Sequence, residues 1–229
     1  MPNDEIIQSK VESTVLKFDV QELYRAQQRS WDALVKLREC IQPGISEVQA
    51  VSLIAAKLKE LGSPHSWHHP VFRIGENSTK PYHHPASEQR ILSENDLFYI
   101  DIGPTWVGKD GIEYEGDVGQ AYTFVPNPEH QKCIDTAKAL FDQACDYWRN
   151  ADVSGAEIYA WLAREASARG YSAVVEDNGH RIGDFPHKRV FNGSLAEAEF
   201  KPSSGLWVLE VHIAEPQQRF GAFFEDILK

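Results

Sequence analysis

Apolar positions recur at helical spacing between Leu23 and Leu61, with Tyr24, Trp31, Leu34 and Leu37 on one stripe until Pro43 and Gly44 interrupt it. Ser46 then stands as an N-cap before a second amphipathic stretch, Glu47 to Leu61, which Gly62 stops. The arrangement returns later in the chain. A helix is predicted from Pro128 to Arg149, and a following one is capped at Ser154, carries Glu157 in its first turn and stops at Gly170. After each helix pair come short apolar runs that read as strands, among them LFYID and LWVLEVH, whose alternation puts an acid among apolar neighbours.

The two halves keep a nearly constant offset. Glu47 and Glu157 are 110 residues apart, Gly62 and Gly170 are 108, Asp101 and Glu210 are 109, and Asp117 and Glu225 are 108. A shift shared by helices and acidic positions predicts an α+β fold of two pseudo-symmetric helix–helix–strand halves. Each half supplies two strand-borne acids to a shared site between them. Asp101 and Asp117 are expected side by side across a hairpin whose loop contains Gly108, Lys109, Asp110 and Gly111, and Glu210 and Glu225 likewise across AEPQQRFG.

These acids, with His180 in NGHRIG, form an ordered set of metal-capable side chains: Asp101, Asp117, His180, Glu210 and Glu225. Four carboxylates and one imidazole are mainly hard ligands, too charged to share a dry site without cations. Two divalent ions about 3.5–4 Å apart, bridged by carboxylates, would neutralise the set and activate a water for hydrolysis.

Composition narrows the alternatives. The chain has 229 residues, enough for one domain with a substantial core, and is 42% hydrophobic and 25% charged. Its net charge of -11 gives no electrostatic reason to bind nucleic acid or an anionic membrane. No apolar stretch approaches the ~18 residues of a membrane span. The opening MPNDEIIQSK lacks a basic segment followed by an apolar run, and Cys40, Cys133 and Cys145 lack metal-type spacing, which together point to the cytoplasm.

From about Leu23 to Lys229 the chain resembles the catalytic domain of the pita-bread metallopeptidases, which include methionine aminopeptidase, aminopeptidase P, prolidase and creatinase. The resemblance rests on IDIG at Asp101, GDVGQAYTF at Asp117, GHRIG at His180, LEVHIAEP at Glu210 and GAFFED at Glu225. It implies a curved antiparallel sheet, with residues 1–20 as an N-terminal arm and 21–229 as a single catalytic domain. It also implies a dinuclear centre of Mn, Fe, Co or Zn. Asp101 would chelate one ion, Asp117 and Glu225 would bridge both, and His180 and Glu210 would hold the other. A water activated by the cations would be the nucleophile, with Glu210 as general base. His187, seven residues after His180, would bind the substrate carbonyl, and His84 would take the family's other catalytic imidazole position, with His83 as fallback. Asn77 in GENS would line the substrate pocket. The implied substrate is a peptide or small amide cut near a free N-terminus, including Xaa-Pro peptides. A homodimer through the N-terminal arm is a further expectation. Lyase or amidohydrolase action on a small molecule, or ligand binding without catalysis, are the alternatives on the same fold.

Several positions depart from the family pattern. The Asp101–Asp117 interval is 16 residues, longer than the usual hairpin, and is expected to reshape the pocket mouth. Arg181 replaces a glycine and would add a cation beside the site. Phe223 stands where proline-specific members keep arginine. An extra N-terminal domain like that of aminopeptidase P is not expected in the 229 residues. Glu215 is a rival ligand, set aside because only Glu210 has the expected spacing to Glu225. His212 falls on the sheet face of Glu210 and would reach the centre from behind it. His65, His68 and His69 around Trp67 read as a loop at the pocket rim or surface, because no partner carboxylate is near them in sequence.

Overall fold

The computed structural model describes residues 10–187 and 193–229. The amphipathic stretches become α1 (Val20–Cys40) and α2 (Glu47–Glu60) in the first half, and α3 (Pro128–Asn150) and α4 (Gly155–Ala168) in the second. The shorter helix of each pair starts with a capping box, Ser46 with Gln49 and Ser154 with Glu157. Each is followed by a glycine at positive φ, Gly62 at 88° and Gly170 at 83°.

The strands are β1 (Val71–Ile74), β2 (Leu97–Ile102), β3 (Thr105–Val107), β4 (Glu113–Glu115), β5 (Val118–Thr123), β6 (Ser172–Ala173), β7 (His180–Arg181), β8 (Trp207–Ala214) and β9 (Gly221–Ile227). One antiparallel sheet has the order β1-β2-β5-β9-β8-β6, with β7 also on β8. It is two mirrored sets, β1-β2-β5 and β6-β8-β9, meeting at β5 and β9. The expected pair of pseudo-symmetric halves is present.

Alternation along the strands aims the acids. Phe98, Ile100 and Ile102 cluster with Leu34, Leu37 and Ile54 of the first helix pair. Leu209, Val211 and Ile213 cluster with Leu140, Ile158 and Leu162 of the second. Asp101 and Glu210 lie between those positions and therefore face the other side of the sheet. A one-residue slip would turn the acids into the helix layer and expose apolar side chains worth about 1.5–3 kcal/mol each by burial, so the register is well determined.

The first acid pair is reached differently from the expected hairpin. Between Asp101 and Asp117 the chain forms a separate two-stranded ribbon, β3 with β4. Only beyond it does β5 return to pair with β2.

The described part of the N-terminal arm docks on its own chain. Arg181 donates to the carbonyls of Glu12 and Ser13, while Ser203 N and Trp207 Nε1 donate to the Glu12 carboxylate. Glu12 and Ser13 of the arm are thus engaged within the chain, while Val15 and Leu16 are exposed. No helix among the described residues is long and apolar enough to cross a membrane.

Candidate metal centre

Strand register brings the acids together. Asp101 lies opposite Gly119, Gly119 opposite Glu225, and Glu225 opposite Glu210, giving one transverse row across β2, β5, β9 and β8. Asp117 precedes β5 by one residue, and His180 enters from β7, paired with Val208 two residues before Glu210. All five expected ligands line one cavity of about 520 Å³. His180 Nε2 is 2.8 Å from Asp117 Oδ2, 3.5 Å from Glu210 Oε1 and 3.7 Å from Glu225 Oε1. Gly119 makes the row possible: a Cβ there would come within 2.3 Å of the Phe223 ring and 3.2 Å of Glu225 Oε2.

The charge state of this cluster argues for cations. Asp101 Oδ1, Asp117 Oδ2 and Glu225 Oε2 are buried without an aligned hydrogen-bond donor, although His180 Nε2 comes close to Asp117 Oδ2. An unsatisfied buried polar atom costs about 1–3 kcal/mol, and more when charged, so three together oppose folding of the bare protein. The donor set fits hard divalent ions. In the metal-free protein, burial and then neighbouring carboxylates push Asp101 up to about 7, Glu210 up to about 8, and Glu225 well above its ordinary range. Burial also works against Asp117 ionising, yet the flanking His68 and His180 hold it below its usual value. Burial lowers both imidazoles, but the carboxylates outweigh it and raise His68 to about 10 and His180 to about 9.

These shifts have a stability consequence. A carboxylate raised in the folded state binds protons that the unfolded chain has released, and a raised histidine does the same at higher pH, so both lower stability as pH rises. Asp117 acts in the opposite sense only near the acid range. The chelator-treated protein is expected to lose thermal stability steadily between about pH 5 and about pH 9. Added Mn²⁺ should raise its melting temperature more at the alkaline end. A melting temperature of the metal-free protein that climbs over this range would contradict the clustered-acid picture.

Supporting residues went unnoticed in the sequence. Gln27 of α1 accepts from Asp117 N at 2.9 Å, donates to Asp117 O, and reaches Asp226 Oδ1 at 2.8 Å, which ties Asp117 to both halves. The long Asp101–Asp117 interval builds the seat of His187. In the β3–β4 ribbon, Glu115 accepts from Gly183 N at 3.0 Å and holds His187 Nδ1 at 2.6 Å. Ribbon backbone also pairs with the same segment, through Glu115 N to Gly183 O and Phe185 N to Glu113 O. His187 lines the cavity, as expected of a carbonyl-binding imidazole.

Several other expected site residues stand outside the cavity, while Arg181 and Phe223 line it. His84 does not line the cavity. Its carbonyl is taken by Arg73, and burial and then the Arg73 and Lys80 charges lower its pKa. The fallback, His83, is exposed and faces Glu176 at 3.4 Å. The loop carrying both runs outside, and Tyr82 is the member that reaches the cavity. Asn77 donates to both Glu47 carboxylate oxygens at 3.1 Å, so it fixes a turn onto α2 and does not line the pocket. Arg181 borders the cavity, as expected, with its guanidinium bonded to the carbonyls of Leu206, Glu12 and Ser13. His212 sits between Asp177 Oδ2 and Ser78 O, 2.7 Å from each, and stops short of the cavity. Glu215 pairs with Arg219 at 2.8 Å, away from the centre. Phe223 lines the pocket and stacks on Tyr99, with ring centroids 5.0 Å apart.

The largest correction concerns the histidine loop. His68 is not on the surface: its Nε2 is 3.2 Å from Asp117 Oδ1 and 3.5 Å from Asp101 Oδ1. The partner carboxylates that sequence proximity failed to supply come through pairing, since Val71 lies opposite Asp101 and Ser66 opposite Pro104.

The model of metallopeptidase family M24 matches residues 21–228. The chain belongs to that family. Solved structures similar to this M24 chain include a prolidase from Thermococcus sibiricus, 20% identical with a TM-score of 0.77, aligned over 98% of this chain and 59% of that one. A Bacillus anthracis Xaa-Pro dipeptidase is 20% identical with a TM-score of 0.74, over 97% and 60%. At these identities the likeness establishes the fold. In sequence, a Mycoplasma pneumoniae protein provisionally named an Xaa-Pro aminopeptidase is 24% identical over 152 residues, 65% of this chain and 41% of that protein. The chain thus spans between two fifths and three fifths of the length of these relatives.

Proposed function

We propose that this M24 chain is a dinuclear metal-dependent exopeptidase that cleaves peptides close to a free N-terminus, with Xaa-Pro peptides among its candidate substrates. The observation that carries the reading is the transverse row of Asp101, Glu225 and Glu210, completed by Asp117 and His180, with three buried carboxylate oxygens lacking donors. Asp101, Asp117, His180, Glu210 and Glu225 would hold two ions of Mn, Fe, Co or Zn. When bound, such ions polarise the scissile carbonyl and lower the pKa of water enough to supply a nucleophile near neutral pH.

The remaining work falls to side chains. Glu210, at the end of the row and facing the cavity, accepts the proton of the attacking water and returns it to the leaving amine. His187, oriented through Nδ1 by Glu115, would act with both ring nitrogens protonated, its Nε2–H donating to the substrate carbonyl oxygen as charge develops there. Trp67, Tyr82, Tyr99 and Phe223 give the cavity aromatic walls suited to an apolar side chain or a proline ring.

Metal content of protein purified without chelator, followed by Mn²⁺ or Co²⁺ loading and a panel of dipeptides and Xaa-Pro peptides, tests the reading. About two ions per chain with N-terminal cleavage is the expected result. Two ions without cleavage would move the protein to small-molecule hydrolysis or lyase chemistry, and no bound metal after loading would defeat the proposal.

A further inference from the structure

We infer that His68 is a sixth ligand of the centre, bound through Nε2 to the ion on the Asp101 side, so that each of the two ions carries one imidazole. The inference rests on the dinuclear reading above and adds a nitrogen donor from outside the acid row. Four observations carry it.

First is placement. His68 Nε2 lies between Asp117 Oδ1 at 3.2 Å and Asp101 Oδ1 at 3.5 Å, and that Asp101 oxygen is buried without a donor. One atom from each of these three groups falls within a single 4.8 Å cluster, separate from the cluster of Asp117, His180 and Glu225. Asp117 belongs to both, presenting Oδ1 to His68 and Oδ2 to His180.

Second is the tautomer. His68 Nδ1 is 2.8 Å from the carbonyl of His69, and His180 Nδ1 is 3.0 Å from the carbonyl of Arg181. A carbonyl only accepts, so each Nδ1 carries the proton and each Nε2 is left to bind a cation. In both cases the acceptor is the next residue in the chain. This backbone bond is the usual device for orienting a metal-binding imidazole.

Third is the seat. A Cβ at Gly103 would fall 2.1 Å from Cδ2 and 2.3 Å from Nε2 of His68, so the ring rests on backbone that only glycine leaves bare. Fourth is rigidity. Trp67 N donates to Gly103 O at 2.9 Å, and the Trp67 ring lies 4.6 Å from both the His68 and the His180 rings. The indole is a wedge that sets the two imidazoles on either side of Asp117. A surface loop would need none of these restraints.

The test counts imidazoles directly. Protein loaded with Co²⁺ to two ions per chain is examined by proton NMR for hyperfine-shifted, exchangeable ring N–H signals. Two strongly shifted Nδ1–H resonances are expected in the unaltered protein, one lost in His68→Gln and the other in His180→Gln. Calorimetric Co²⁺ titration of His68→Gln should show one of the two binding steps weakened by more than about 10-fold, since even partners behind the ligands cost that much. Two bound ions with a single shifted resonance in the unaltered protein would overturn the sixth ligand and leave the dinuclear centre standing. Failure to bind Co²⁺ at all would instead remove the dinuclear reading and this inference with it. The count on unaltered protein decides the matter even if His68→Gln does not fold.

Discussion

Replacing Asp117 by alanine should give a folded protein that no longer holds a pair of divalent ions and no longer cleaves peptide. Asp117 is buried at the centre of the cluster, and its two oxygens face different imidazoles, a position suited to the bridging role proposed for it. Its backbone is gripped by Gln27 through both N–H and C=O, a hold that the substitution leaves intact. The fold should therefore survive while the centre fails. Losing the ions removes several kcal/mol of transition-state stabilisation, which corresponds to at least about a 10³-fold fall in kcat/KM. Metal content per chain, circular dichroism and peptide turnover measured on one preparation would check this. Loss of metal with unchanged biological function would favour a binding protein over an enzyme. Retention of two ions would refute the ligand assignment.

His187→Ala is expected to act in the opposite way on the two readouts. The side chain is bonded to Glu115 and not to any member of the acid row, so the metals should remain. What disappears is a donor to the carbonyl oxygen as it gains charge, and kcat should fall roughly 10²–10³-fold, the usual cost of removing one such group. The buried Glu115 carboxylate keeps its bond from Gly183 N, so the ribbon stays anchored in the variant. If the variant emerged without its metals, His187 would have to be a ligand or a prop of one, and the role proposed for it would fall.

The periodic parts of the chain were the most readable. The capped helices beginning after Ser46 and Ser154, and the stop glycines after them, follow from local chemistry that needs no tertiary partner. The acids Asp101 and Glu210 were recognisable because strand alternation and the constant offset both mark them. Roles that depend on pairing between distant segments were hidden. His68 lies 33 residues before Asp101, and nothing local indicates that Ser66 will lie beside Pro104. The expectation at His84 assumes a loop of fixed path before Asp101; the actual loop brings Tyr82 inward instead. The extra residues between Asp101 and Asp117 announced an altered pocket mouth, yet their use as a support for His187 emerges only once Glu115 N is seen on Gly183 O. Gln27 gave no signal at all, since a glutamine on an amphipathic helix is ordinarily a solvated residue.

The two halves of the sheet meet through β5 and β9, and their ladder there is short: Gly119 with Glu225 and Gln120 with Phe224. By comparison, β8 and β9 are paired from Val208–Ile227 to Ala214–Gly221. The join between the two halves is therefore a short one that runs through the acid row itself, where residues from both halves would share the same ions. Bound metal would act as a rivet across this seam as well as a reagent. Catalytic competence and the tightness of this join would then vary together, the metal-free protein keeping its fold with a looser seam.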